Sequence, residues 1–166
     1  MIEKQLNLFG EEIENKNIGW MISFRKEYFQ AMIDKKKLHE FRRRFSEINS
    51  NFYSLIYISA PISAVTAIAK FKPTIIGDIE KMVKLRQTHT FSNDNNVRDY
   101  FSGLSKCYAL PLVEIINLEY PVTLNELRSI IPNFMPPQNY FKVNNDKYKS
   151  MVEYIKKRNG ISDETL

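Results

Sequence analysis

The segment Asp34-Lys-Lys-Lys-Leu-His-Glu-Phe-Arg-Arg-Arg-Phe45 constrains this chain more than any other. Three lysines lead into a lone glutamate and then three arginines, with phenylalanines at 41 and 45. Read as a strand, its side chains alternate between two faces. Leu38, Glu40, Arg42 and Arg44 fall on one face, and His39, Phe41, Arg43 and Phe45 on the other. The two phenylalanines are expected to point into a core, leaving Glu40, Arg42 and Arg44 together on the opposite face. A carboxylate between guanidinium groups is already paired and oriented, and the remaining positive charge is available to an anion. A solvated edge strand kept basic against edge-to-edge pairing accounts for the same pattern.

The whole chain carries a formal charge of +5 and a pI of about 9.2, which suits a polyanionic partner such as nucleic acid. Its 166 residues suffice for one domain with a real core, and nine tyrosines and eleven phenylalanines argue against disorder. Only five glycines are present, and neither glycine-rich phosphate-binding motif occurs. The lone cysteine, Cys107, rules out an internal disulfide and suits a reducing compartment. Two histidines and one cysteine assemble no zinc signature, so neither metal nor cofactor is implied. No long apolar run and no basic-then-apolar leader is present, and the expectation is a cytoplasmic protein away from the membrane.

Residues 1–17 read as a flexible leader, whose Leu6, Leu8 and Phe9 are available to dock on the body or on a protein partner. Ile18–Phe24 reads as a strand and Arg25–Lys36 as a helix, with Tyr28, Phe29, Met32 and Ile33 forming an apolar stripe. Leu55–Ala60 and Ala64–Phe71 read as strands, the first of them buried. Asp78 is placed to cap a helix to Arg86, and a short helix over Val97–Phe101 should end at Gly103. Lys106–Glu119 reads as a long strand broken at Pro111. Thr123-Leu-Asn-Glu126 is a capping box opening a helix to about Ile131. Gln138–Val143 reads as a last short strand, and Asp146–Arg158 as an amphipathic helix closed by Gly160. Short strands with helices set between them indicate an α+β fold with a small closed or half-closed barrel of about six strands.

Met21-Ile-Ser-Phe-Arg-Lys-Glu-Tyr28 followed by Ile33-Asp-Lys-Lys-Lys-Leu-His-Glu-Phe-Arg-Arg-Arg44 resembles the opening motif of ASCH domains, members of the PUA-like superfamily. In that family a helix ends in Gly-x-Lys-Thr and the next strand carries x-Glu-x-Arg; Lys37, Glu40 and Arg42 match its lysine, glutamate and arginine. Ile56-Tyr-Ile-Ser-Ala-Pro61, Tyr100-Phe-Ser-Gly103, Cys107-Tyr-Ala-Leu110 and Pro136-Pro-Gln-Asn-Tyr140 follow in the family's order. The resemblance covers residues 18–143, with 144–166 as a C-terminal helix packed on or appended to that domain. Lys35 stands where the family has glycine, and Leu38 where it has threonine. Small ASCH-like amidohydrolases acting on acylated cytidines use a threonine that aligns with Glu40, so this chain has no hydroxyl nucleophile at either position.

The resemblance implies a PUA-like barrel with a basic cleft beside the first helix, holding RNA or a single extruded base. Such a site needs charge for phosphate, a planar surface for stacking and fixed groups for the base edge. Lys36, Lys37, Arg42, Arg43 and Arg44 are candidates for the first, and Tyr57, Tyr108 and Tyr140 for the second. Glu40, Ser59 and Gln138 are candidates for the third. Ordinary core packing is the competing account of each tyrosine, and a satisfied strand hydroxyl that of Ser59. The first functional expectation is an RNA- or modified-nucleotide-binding module without chemistry of its own. The alternative is a hydrolase on a nucleoside or RNA, an amidohydrolase or ribonuclease, with Lys37 and Glu40 as its acid–base pair. His39, His89 and Cys107 are assigned no chemistry.

Overall fold

Phe52–Ile58 is apolar at every position except Ser54, and as strand β3 it is buried along its whole length. A strand of this kind needs cover on both faces. The computed structural model supplies that cover; it describes residues 17–162 and 166, so the expected leader and any partner contact through it lie outside the described residues except for Asn17. The chain runs β1 (Ile18–Phe24), α1 (Lys26–Ile33), β2 (His39–Arg42), β3, β4 (Ala64–Phe71) and β5 (Ile75–Gly77). It continues through α2 (Ile79–Arg86), α3 (Asp94–Phe101), β6 (Cys107–Thr123), α4 (Leu124–Ile130), β7 (Tyr140–Lys142) and α5 (Lys149–Arg158).

The strands order as β2-β6-β4-β3-β1-β7, with β5 paired to β6 off this path. Only β1 and β3 run parallel, joined across the segment that carries α1 and β2. The α+β class is therefore as expected, and the sheet curls into a half-barrel. One face of β3 presents Phe52, Ile56 and Ile58 to Trp20, Ile22, Phe24, Ala67 and Ala69, closed over by Phe29 and Met32 of α1. The other presents Tyr53, Leu55 and Tyr57 to Met21, Val65 and Ile68, covered by Leu127 of α4 and Met151 and Ile155 of α5. A third apolar layer sets Met82 and Val83 of α2 and Val97 and Phe101 of α3 against Cys107 and Ala109 of β6, with Phe41 of β2 packed on it. No helix among the described residues is long and apolar enough to cross a membrane.

Local signals place most element ends. Asp78 accepts from the Lys81 N–H at 2.9 Å, and Thr123 and Glu126 form the expected capping box. Gly103 (φ 80°) and Gly160 (φ 62°) take the left-handed backbone that stops α3 and α5. Helix α3 starts earlier than expected, because Asn93 and Asn96 cap each other reciprocally.

The charged segment departs from expectation in three ways. Helix α1 stops at Ile33, short of Lys36. The strand expected over Leu38–Phe45 is only His39–Arg42, so Arg43 and Arg44 lie in a bend beyond it rather than on a face with Glu40. The face expected to be open is closed: Glu40 and Arg42 are buried, while Phe41 packs on an apolar layer and Phe45 lies in the core as expected. The reason is that β2 is covered on both sides. Phe41 meets the α2–α3 layer, and Glu40 and Arg42 turn toward the curl of the sheet.

Lys35 ends α1 with φ 58°, the left-handed conformation that glycine adopts without strain. The N–H groups of Lys36 and Lys37 then return to the Ala31 carbonyl at 2.9 and 3.0 Å. Lys35→Gly is expected to raise stability by about 0.5–1 kcal/mol. A urea unfolding midpoint that stays put or falls would contradict this account of the turn.

Candidate functional site

Three charged side chains of the motif meet in the interior. The ammonium of Lys37, only 5 % exposed, donates to a Glu40 carboxylate oxygen and to the His39 carbonyl at 2.9 Å. Arg42 Nε lies 2.9 Å from the other Glu40 oxygen. Glu40 is thus held between two buried cations. The rest of the Arg42 guanidinium reaches across the open side of the half-barrel. Its Nη1 donates to the Asn139 side-chain oxygen and its Nη2 to the Ser23 carbonyl at 2.8 Å. Ser23 belongs to β1 and Asn139 immediately precedes β7, so a single side chain ties one end of the sheet to the other.

Asn139 is the counterpart of that tie. Its Oδ1 accepts from Arg42, its Nδ2 donates to the Arg44 carbonyl at 3.3 Å, and its own carbonyl accepts from the Ser23 N–H at 3.0 Å. Gln138 was the expected site residue of this segment, whereas its neighbour Asn139 makes the tie to Arg42. The only signal was the position of Asn139 within the Pro136-Pro-Gln-Asn-Tyr140 motif.

On the outer side of this tie is an open cavity of about 510 Å³. Arg42, Arg43 and Arg44 form one wall, Gln138 and Asn139 another, and Tyr100 with Leu104 a third. Arg43 donates to the Tyr100 carbonyl. The Tyr100 ring is 42 % exposed, its hydroxyl donates to the Phe41 carbonyl at 3.3 Å, and it meets Phe101 edge-on at 4.8 Å. Burial, with the nearby Glu40 carboxylate second, holds the Tyr100 hydroxyl above the ordinary tyrosine range, so it stays a donor at neutral pH. Tyr100 was quoted in the sequence only as part of a motif and not as a ring; its place on the wall comes from α3, which spacing alone does not position.

The remaining candidates scatter. Tyr57 is core, 3 % exposed. Tyr140 packs its ring 4.2 Å from Phe45 and 5.8 Å from Trp20, and half-buried Tyr108 packs on the same cluster. Ser59 spends its hydroxyl on the Phe24 carbonyl at 3.2 Å. Lys36 is exposed but off the cavity, and its carbonyl accepts the N–H groups of Thr90 and Phe91. That contact holds the α2–α3 connection against the turn after α1 and buries the loop residue His89 beside His39 and Phe41. Among the described residues no group of three histidine, cysteine or acidic side chains is placed to hold a metal ion.

A relative from Zymomonas mobilis subsp. mobilis, named ASCH domain-containing ribonuclease, is 28% identical over 132 residues, covering 80% of this chain and 88% of its own. The crystal structure of ASCH from Zymomonas mobilis superposes with a TM-score of 0.69 at 28% identity, over 81% of this chain and 93% of that one. In sequence and in fold this chain is similar to proteins of the ASCH domain family. Two single-residue variants of the Zymomonas mobilis ASCH protein match with TM-scores of 0.67 and 0.68. No family model matches the sequence. The likeness to the ASCH structure gives the curled sheet its place among PUA-like folds.

Proposed function

We propose that this ASCH-like protein binds RNA in the cavity between the Arg42–Arg44 bend, the end of α3 and the Gln138–Asn139 segment, not beside the first helix as expected, with Arg43 and Arg44 as the phosphate contacts. The observation that carries this reading is the division of labour among three consecutive arginines. Arg42 is buried and committed to Glu40, Asn139 and Ser23, while Arg43 and Arg44 are exposed on the same cavity wall. Exposed guanidinium groups flanking a concave surface suit phosphate oxygens. The name of the Zymomonas mobilis relative supports RNA as the polyanion.

The test is fluorescence anisotropy on a labelled RNA hairpin across a range of salt. The double variant Arg43→Glu/Arg44→Glu is expected to lose roughly tenfold or more in affinity, and its salt slope should flatten by about 2. The double variant Lys149→Glu/Lys157→Glu on α5 carries the same loss of charge away from the cavity and should bind nearly as wild type. Equal binding by the double variant and wild type would refute the proposal.

A second reading, hydrolysis of RNA, draws on the relative's name and on the contact between Lys37 and Glu40. Such a pair would deprotonate a 2′-hydroxyl and protonate the leaving oxygen. Labelled RNA cleaved by wild type and spared by Lys37→Ala would favour it. No turnover by wild type of RNA or of acylated cytidines would remove it.

A further inference from the structure

Resting on the RNA-binding reading above, we infer that Tyr100 is the stacking platform for one unpaired nucleotide, with the Gln138 carboxamide set to read its edge. Of the rings near the charged segment, the half-buried Tyr140 and Tyr108 pack against the apolar core and line no part of the cavity. Tyr100 alone among the tyrosines lines the cavity. Its orientation is held at three points: the hydroxyl to the Phe41 carbonyl, the ring edge against Phe101, and its own carbonyl to Arg43. A ring held this way loses little freedom when a base is laid on it. Arg43 and Arg44 stand on the adjoining wall, where the phosphates on either side of that base would run. Gln138 is exposed, lines the same cavity and offers both a donor and an acceptor.

This geometry names a substrate class. A base stacked inside an A-form helix has no free face to lay on a recessed ring, and the edges in its narrow groove are out of reach of side chains. The nucleotide recognised is therefore unpaired, in a loop, a bulge or a single strand. The arginines hold any RNA, and Tyr100 confers the preference for an exposed base.

Two labelled RNAs separate these roles: a hairpin with an unpaired loop, and its stem closed as a blunt duplex. Wild type is expected to prefer the hairpin. Tyr100→Leu should weaken hairpin binding by roughly 5- to 150-fold, the usual value of one base–aromatic stack, and bring it to the level of the duplex. Tyr100→Phe keeps the ring and should stay within a few-fold of wild type. A photoreactive iodouridine in the loop, irradiated with the wild-type protein, should crosslink to the peptide carrying Tyr100. Tyr100→Leu binding as wild type, equal affinity for hairpin and duplex, or a crosslink that avoids Tyr100 would each overturn the inference. Should Arg43→Glu/Arg44→Glu weaken both RNAs while Tyr100→Leu has no effect, only this inference falls; if the arginine variant has no effect, the RNA-binding reading falls with it.

Discussion

Replacing Glu40 with alanine is expected to destabilise the fold by roughly 3–5 kcal/mol, the usual consequence of removing one partner from a buried ion pair. The reason lies in its position between Lys37 and Arg42, all three being less than a tenth exposed. Without the carboxylate two cations face each other in the interior, and Arg42 loses the group that orients its guanidinium toward Asn139 and Ser23. Lys37→Met is the informative contrast. It removes an end of the row rather than its centre, leaves Glu40 paired with Arg42, and replaces the lysine stem with an apolar one. Its cost should be about half that of Glu40→Ala or less. Urea unfolding of both variants checks the order. A Glu40→Ala protein within about 1 kcal/mol of wild type would contradict the central role given to this carboxylate.

The second large effect concerns acid. Burial, followed by the nearby His39 and Lys37, lowers the His89 imidazole from its usual range to about 4. His39 is shifted in the same direction by burial, then by Lys37 and Lys72. In the unfolded chain His89 takes up its proton near pH 6.5, whereas the folded protein resists until about pH 4. Between those values the unfolded state holds more protons, so stability falls as pH is lowered through this window and the effect is complete below it. The loss from His89 should be roughly 2–3 kcal/mol. His89→Phe keeps a ring against Phe41 and His39 while removing the titration, and its unfolding free energy should decline less steeply from pH 6.5 to 4. Parallel curves for wild type and variant would show that the acid sensitivity comes from elsewhere.

The elements that were legible in the sequence are those whose cause is local. Asp78 and Thr123 cap the helices they were expected to cap, Gly103 and Gly160 end theirs, and the unbroken apolar run of β3 marks a strand covered on both faces. Period-two alternation sorted Glu40 and Arg42 from His39 and Phe41 correctly, but which set faces inward was not decidable. That depended on α2 and α3, whose residues begin some forty positions later. Lys37, Glu40 and Arg42 converge in the interior, and of these three ligand candidates only Arg42 lines the cavity. Asn139 and Tyr100 were not recognised, because their partners Arg42 and Phe41 lie 97 and 59 residues away. Nothing local to an asparagine after Pro-Pro-Gln, or to a tyrosine near the end of a helix, announces such a contact. The tyrosines nominated for stacking were chosen for residue type, and a curled sheet with two filled faces absorbs most of its aromatic residues into packing.

Arg42 divides the motif in a way that bears on how such a protein can diversify. It is both a wall of the cavity and the tie between the two ends of the sheet, so a substitution there trades ligand preference against the integrity of the scaffold. Arg43, Arg44, Tyr100 and Gln138 share the cavity without belonging to the buried charge row. On the proposed RNA-binding reading, recognition would be retuned at these four positions while Arg42 stays fixed. The immovable Arg42 and the exposed Arg43 and Arg44 are adjacent letters of one short stretch of sequence.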